Sequence, residues 1–152
     1  NAFGGGDFQE MKSDLACVQE SDFNVENCEI LWSSMKIENK KALYISSFSR
    51  PPSSTTEILD HLSDSINNVF TKVPNHPNII MGGDFNLGDI DWNQEIPSTS
   101  NPATAFQHDK FMHILDDYAL LKFQLDLHLE KPSTSFCLPP PVVSLMYPPH
   151  LA

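Results

Sequence analysis

The stretch Ile79-Ile80-Met81-Gly82-Gly83-Asp84-Phe85-Asn86 constrains this chain more than any other. Three large apolar residues in a row suit a strand covered on both faces, and the two glycines stop it. A strand ending this way delivers its next residues to the carboxyl edge of a sheet, where open α/β folds place their sites. Gly82 and Gly83 permit backbone angles and close approaches that a side chain would forbid. Asp84 and Asn86 are two apart, so they share a side if the extended geometry persists. Asp84 can hold a divalent cation or take a proton from water, and Asn86 can donate to a phosphate oxygen without adding negative charge. Such a pair suits hydrolysis of a phosphate ester. Glycine, aspartate and asparagine are also ordinary turn residues, so the residues alone leave a plain turn open.

The surrounding pattern predicts an α/β domain. Cys28–Ile37 alternates like a strand, with Leu31, Met35 and Ile37 on one face and Ile30 and Trp32 on the other. The polar turn Glu38–Lys40 leads into a second strand, Ala42–Phe48, apolar on both faces, and the two form a hairpin. Pro51 and Pro52 end it. A helix comes next, with Ser54 and Glu57 as a capping box and Ile58, Leu59, Leu62, Ile66, Val69 and Phe70 as its apolar stripe. After the strand at Asn78–Met81, a second helix is predicted from Thr104, where Gln107 completes another box; Phe111, Met112, Leu115 and Ala119 form its buried face. Gly4, Gly5 and Gly6 mark an early turn.

Charge argues against a polyanionic partner. Nine basic against twenty acidic residues give −11, a mean field that repels nucleic acid and anionic membranes unless a metal ion or a further segment supplies positive charge. No apolar run reaches the length of a membrane span and no signal peptide is read at the start, where Asn1 rather than Met suggests a fragment. Cys17, Cys28 and Cys137 lack metal-type spacing and read as reduced thiols of an intracellular protein, nuclear or cytoplasmic. Six of the twelve prolines fall between residues 130 and 150, which predicts an extended, poorly packed tail with one short strand over 142–146. His108 and His113 are five apart and do not form the i, i+4 pair of a helical metal site. Asp89 and Asp91 read as solvated loop carboxylates, and Trp32 and Trp92 as packing residues.

Three stretches occur in order: CEILWSSMKI (28–37), KALYISSFSRPPSS (41–54) and NIIMGGDFNLGDIDWN (78–93). Together they resemble the endonuclease/exonuclease/phosphatase superfamily, and most closely the apurinic-type endonuclease domain of non-LTR (LINE-like) retrotransposons. The resemblance runs from about Gly4 to Asp126. It implies a two-sheet α/β sandwich, partial here and truncated at both ends, with a domain over 1–127 and a divergent Pro-rich tail over 128–152. It also implies Mg²⁺-dependent cleavage of DNA phosphodiesters by water, and a reverse transcriptase domain in the same full-length polyprotein. Carried over to this sequence, Asp84 orients or deprotonates the attacking water and Asn86 contacts the scissile phosphate. Ser49 stands where the family has a phosphate-side tyrosine, and Arg50 beside it is a further phosphate contact.

The departures set a second expectation. The family's metal-binding glutamate and its closing Asp-His pair have no counterpart in these 152 residues, which leaves the metal ligands unassigned. Glu20, in CVQES, comes after the glycine turn instead of preceding it and reads as a surface carboxylate. QLDLHL (124–129) stands in for a family segment bearing another aspartate, and residues 128–141 depart as a reading-frame lesion would make them. A chain lacking these groups is expected to cleave poorly or not at all. The same Asp/Asn pair would serve a phosphatase or another phosphodiesterase, while the acidic charge and missing groups suit a non-catalytic relic or interaction module.

Overall fold

The hairpin read from the sequence is the first part of the main sheet. Strands β2 (Glu29–Met35) and β3 (Leu43–Ser49) pair antiparallel, with Ile30 opposite Phe48 and Trp32 opposite Ser46. Alternation then separates two faces. Ile30, Trp32, Ser34, Ser46 and Phe48 are buried, and Leu31, Ser33, Met35, Ile45 and Ser47 on the other face are half-buried.

A computed structural model describes residues 16–87, 90–91, 96–97, 101–124 and 143–146; of 90–91, 96–97, 122–124 and 143–146 it describes only the backbone. The order is β1 (Cys17–Gln19), a single 3₁₀ turn (Ser21–Phe23), β2, β3, α1 (Glu57–Lys72), β4 (Asn78–Asp84), β5 (Ile90–Asp91), β6 (Ile96–Pro97), α2 (Pro102–Asp117), β7 (Leu121–Gln124) and β8 (Val143–Met146). Among the described residues six strands make one mixed sheet in the order β1-β2-β3-β4-β8-β7, and β5 pairs with β6. β3 and β4 are parallel, with α1 as the connection between them. The α/β class is thus borne out. A two-sheet sandwich is not established by these residues, whose only second sheet is the short β5–β6 ladder.

Both helices contribute to one core with the buried face of the sheet. In α1 the predicted stripe is found: Ile58, Leu59, Leu62, Ile66 and Val69 are buried and Phe70 packs beside them. Trp32 anchors the sheet to this helix, its Nε1 donating to Ser65 Oγ (2.9 Å), which donates in turn to the Phe23 carbonyl (2.7 Å). That chain satisfies the indole N–H, which a buried tryptophan requires.

The helix starts differ from the predicted ones. α1 begins at Glu57 with no side-chain cap, and Ser54 Oγ has no partner among the described residues, so the Ser54–Glu57 box does not form. α2 begins two residues before Thr104: Asn101 Oδ1 accepts from the Ala103 amide (3.1 Å) and Pro102 occupies the first turn. Its buried face is His108, Phe111, Ile114 and Leu115, with Met112 half-buried; Ala119 is exposed in the turn beyond the helix.

β8 lies within the stretch predicted as a Pro-rich tail, where a short strand over 142–146 was the one regular element expected. Val143–Met146 pairs antiparallel with both β4 and β7. The early glycine turn at Gly4–Gly6, Asp89, Trp92, Cys137 and the rest of the tail lie outside the described residues. No helix among the described residues is long and apolar enough to cross a membrane, and neither Cys17 nor Cys28 takes part in a disulfide there.

β4 crosses the middle of the sheet, with Ile79 and Met81 buried under the helices and Ile80 half-buried on the other face. Gly83 sits opposite Phe48 at φ +152°. A Cβ there would stand 1.8 Å from the Phe48 carbonyl oxygen, so the parallel strands meet at this level only without a side chain. Gly83→Ala is therefore expected to cost at least about 3 kcal/mol in urea denaturation, combining an unfavourable φ with a backbone clash. A loss below about 1 kcal/mol would show that the two strands separate easily here.

Candidate active site

Parallel pairing brings the ends of β3 and β4 to one level, with Ser49 beside Asp84. The Arg50 amide extends the ladder by donating to the Asp84 carbonyl (2.8 Å). Register partners point to the same face, so Glu29, Ser49 and Asp84 form a row across three strands, on the face away from the helices. Glu29 was not singled out from the sequence. The hairpin register is the signal that finds it.

Past Asp84 the extended geometry ends. Phe85 turns into the core, 2% exposed, between the rings of Phe48 (centroids 5.3 Å apart) and Phe111 (5.0 Å), and Leu87 is buried as well. Between these two anchors Asn86 takes a left-handed conformation, φ +46°, which asparagine tolerates better than most residues. Asp84 and Asn86 still come together, through a turn and not through strand alternation. Asp84 Oδ1 accepts from the Asn86 amide (3.0 Å) and Oδ2 from Asn86 Nδ2 (3.1 Å). The second Asn86 Nδ2 hydrogen goes to the Arg50 carbonyl (2.5 Å).

This fixes the carboxamide. Turned over, it would set its oxygen against two acceptors, the Asp84 carboxylate and the Arg50 carbonyl, so the neighbours select the orientation. Both N–H groups of the Asn86 side chain are engaged inside the protein. A phosphate oxygen can take one of them only by displacing a bond already present.

Arg50 is turned inward. It is 2% exposed, and its guanidinium donates to the Asn86 carbonyl (2.9 Å) through Nη1 and to the Ser54 carbonyl (3.2 Å) and Gln107 Oε1 (2.8 Å) through Nη2. Burial pulls its pKa below the usual arginine value. Gln107, read from the sequence as part of a cap, is instead an acceptor for this group. Ser49 is half-buried in the Asp84 row.

Glu20 lies elsewhere. Its amide donates to the Trp32 carbonyl (2.8 Å), and its carboxylate accepts from Ser34 Oγ (2.5 Å), a residue of the helix-covered face. Burial, and secondarily the Glu20 charge, raise the Tyr44 phenol on that same face. Glu20 is half-buried there rather than fully solvated, and Asp84 belongs to the alternation of the opposite face. Among the described residues no group of three or more His, Cys, Asp or Glu side chains is placed to hold a metal ion. Asp84 offers one carboxylate whose two oxygens already accept from Asn86, and this alone does not make a magnesium site.

A family model described as endonuclease-reverse transcriptase matches residues 42–134, the segment that contains β3, α1, β4 and α2. The chain belongs to the endonuclease-reverse transcriptase family. The resemblance drawn from the motifs at 28–37, 41–54 and 78–93 holds at that level. No curated protein sequence matches the chain. Among solved structures, the endonuclease domain of TRAS1, a telomere-specific non-LTR retrotransposon, is similar with a TM-score of 0.55 at 15% identity, over 89% of this chain and 57% of that one. At such identity the likeness speaks for the fold, and this family member spans 57% of the length of the TRAS1 domain.

The anchoring of the site yields a direct expectation. Phe85→Ala removes the ring that holds the Asp84–Asn86 turn against the core and should cost about 3–5 kcal/mol in urea denaturation. A cost under about 1 kcal/mol would mean that the turn is held by its hydrogen bonds instead.

Proposed function

We propose that this chain is part of a retrotransposon endonuclease that nicks DNA by hydrolysing a phosphodiester, with Asp84 as the group that orients or deprotonates the attacking water. The observation that carries the reading is the Asp84 carboxylate at the carboxyl end of β4, held by two Asn86 donors, within a segment matched by the endonuclease-reverse transcriptase model. A carboxylate fixed by donors and half-exposed is placed to receive a proton from water on its open side. Asn86 is the proposed phosphate contact, one Nδ2 hydrogen moving from the protein to a phosphate oxygen. Ser49, beside Asp84, is proposed to lie along the same phosphate path.

The complete domain is proposed to be a two-sheet sandwich. The support is the sheet face away from the helices, where Leu31, Met35, Leu43, Ile45 and Ile80 present half-buried apolar surface that a second layer would cover. We place the catalytic unit in residues 1–127 and treat 128–152 as a Pro-rich tail whose strand, Val143–Met146, returns to the sheet. Mg²⁺ is the proposed cofactor of the complete domain, held by oxygen ligands beyond the described residues. Its charge would offset the −11 of the chain where DNA approaches. A reverse transcriptase in the same polyprotein and an intracellular location, nuclear or cytoplasmic, belong to the same reading.

One rival reading has an observation of its own. Ser49 in place of a tyrosine, with the strongly acidic charge, favours a relic that no longer cleaves or an interaction module. A phosphatase or other phosphodiesterase would use the same Asp84–Asn86 pair. The 152-residue chain should nick supercoiled plasmid poorly or not at all with Mg²⁺, since each missing acid–base group costs ~10²–10⁴-fold. Extension by its flanking coding sequence together with Ser49→Tyr should restore nicking, and Asp84→Ala in that extended protein should abolish it. Robust Mg²⁺-dependent nicking by the unextended chain, lost in Asp84→Ala, would refute the expected inactivity, and an extended protein indifferent to Asp84→Ala would refute the reading.

A further inference from the structure

Arg50 and Asn86 hold each other by reciprocal bonds. Asn86 Nδ2 donates to the Arg50 carbonyl, and Arg50 Nη1 donates to the Asn86 carbonyl. The Arg50 amide meanwhile donates to the Asp84 carbonyl. Three backbone positions at the end of two strands are thus tied through one arginine. Its Nη2 carries the tie outward, to the Ser54 carbonyl ahead of α1 and to Gln107 on α2. Among the described residues no carboxylate pairs with this cation, and its Nε has no partner. A group so placed is not disposed for phosphate, because reaching solvent would break every bond that the guanidinium makes.

We infer that Arg50 is a positioning residue: its guanidinium holds the Asn86 backbone, and through it the Asn86 carboxamide and the Asp84 carboxylate, by clamping the turn after β4 to the segment ahead of α1 and to α2. The inference rests on reading Asp84 and Asn86 as the reacting pair. The planar fork matters more than the charge. Acceptors on three separate segments are reached at once by one rigid guanidinium, whereas a lysine ammonium is a single point on a flexible stem. Gln107 is the outer support of the clamp, being the one side-chain acceptor that Arg50 has among the described residues.

The test compares Arg50→Lys and Gln107→Ala in the 152-residue chain by hydrogen exchange of assigned amides. The Asn86 backbone and side-chain N–H groups should exchange at least about tenfold faster in both variants, while the Trp32 and Leu62 amides stay within about twofold of the parent. Gln107→Ala serves if Arg50→Lys fails to fold, since it leaves the arginine in place. Asn86 exchange that does not change, or that rises only in step with the core amides, would overturn the inference. In the flank-extended Ser49→Tyr protein, Arg50→Lys should lower kcat for plasmid nicking at least about tenfold and leave KM within about twofold, as misplaced reacting groups do. A rise in KM at unchanged kcat would instead make Arg50 a direct phosphate contact and refute positioning. If Asp84→Ala leaves nicking intact, the catalytic reading falls, and the exchange data still decide whether the clamp exists.

Discussion

The parallel pairing of β3 with β4 sets the level at which Ser49, Arg50 and Asp84 end, and that pairing depends on the missing side chain of Gly83. Parallel strands lie about 4.8 Å apart, and at this level the Phe48 carbonyl occupies the space a Cβ would need. With the strands held apart there, the Arg50 amide would lose the Asp84 carbonyl and the Asn86 carboxamide would lose Arg50. The position of the candidate site is therefore a consequence of backbone packing. Its polar groups are arranged on a platform that one glycine makes possible.

Two effects of different size hold the turn after β4. Burying a phenylalanine contributes roughly 1.5–3 kcal/mol from area alone, while an ordinary intramolecular hydrogen bond contributes about 1 kcal/mol net. Phe85 is enclosed by Phe48 and Phe111, so the core decides where the turn sits. The hydrogen bonds decide what it presents. Asn86 in a left-handed conformation lets the chain reverse between Phe85 and Leu87 and gives each oxygen of the half-buried Asp84 carboxylate one donor. A site held by an apolar anchor and aimed by polar bonds can exchange one of those bonds without losing its place.

Much of the framework was legible because it depends on local alternation. The β2–β3 hairpin could be read from the polar turn Glu38–Lys40 and two apolar runs, and the α1 stripe from its 3.6-residue period. The Asp84–Asn86 pairing was legible as a pair but not as a geometry, since the spacing suggested strand alternation and the structure makes a turn. The helix caps were misread for different reasons. Gln107 matches a capping pattern, yet its Oε1 accepts from Arg50, far from α2 in sequence, while Ser54 Oγ finds no partner among the described residues and α1 starts without a side-chain cap. Arg50 itself was read as a phosphate contact beside two prolines, not as a buried group. Its burial depends on α2, which comes more than fifty residues later, and no window of local sequence contains that information.

Charge connects this clamp to the expected chemistry. The chain carries few cations, and the one nearest the candidate site faces inward, where it orders backbone carbonyls and leaves the substrate side of Asp84 without positive charge from Arg50. Phosphodiester hydrolysis builds negative charge on phosphate, and that charge needs a counterpart. On the proposed reading the neutral donors of Asn86 and Ser49 supply part of that counterpart, and a bound cation or residues outside the described ones supply the positive charge. The burial that makes Arg50 effective as a clamp is what denies it to the phosphate, so organising the site and neutralising the substrate must be the work of different groups.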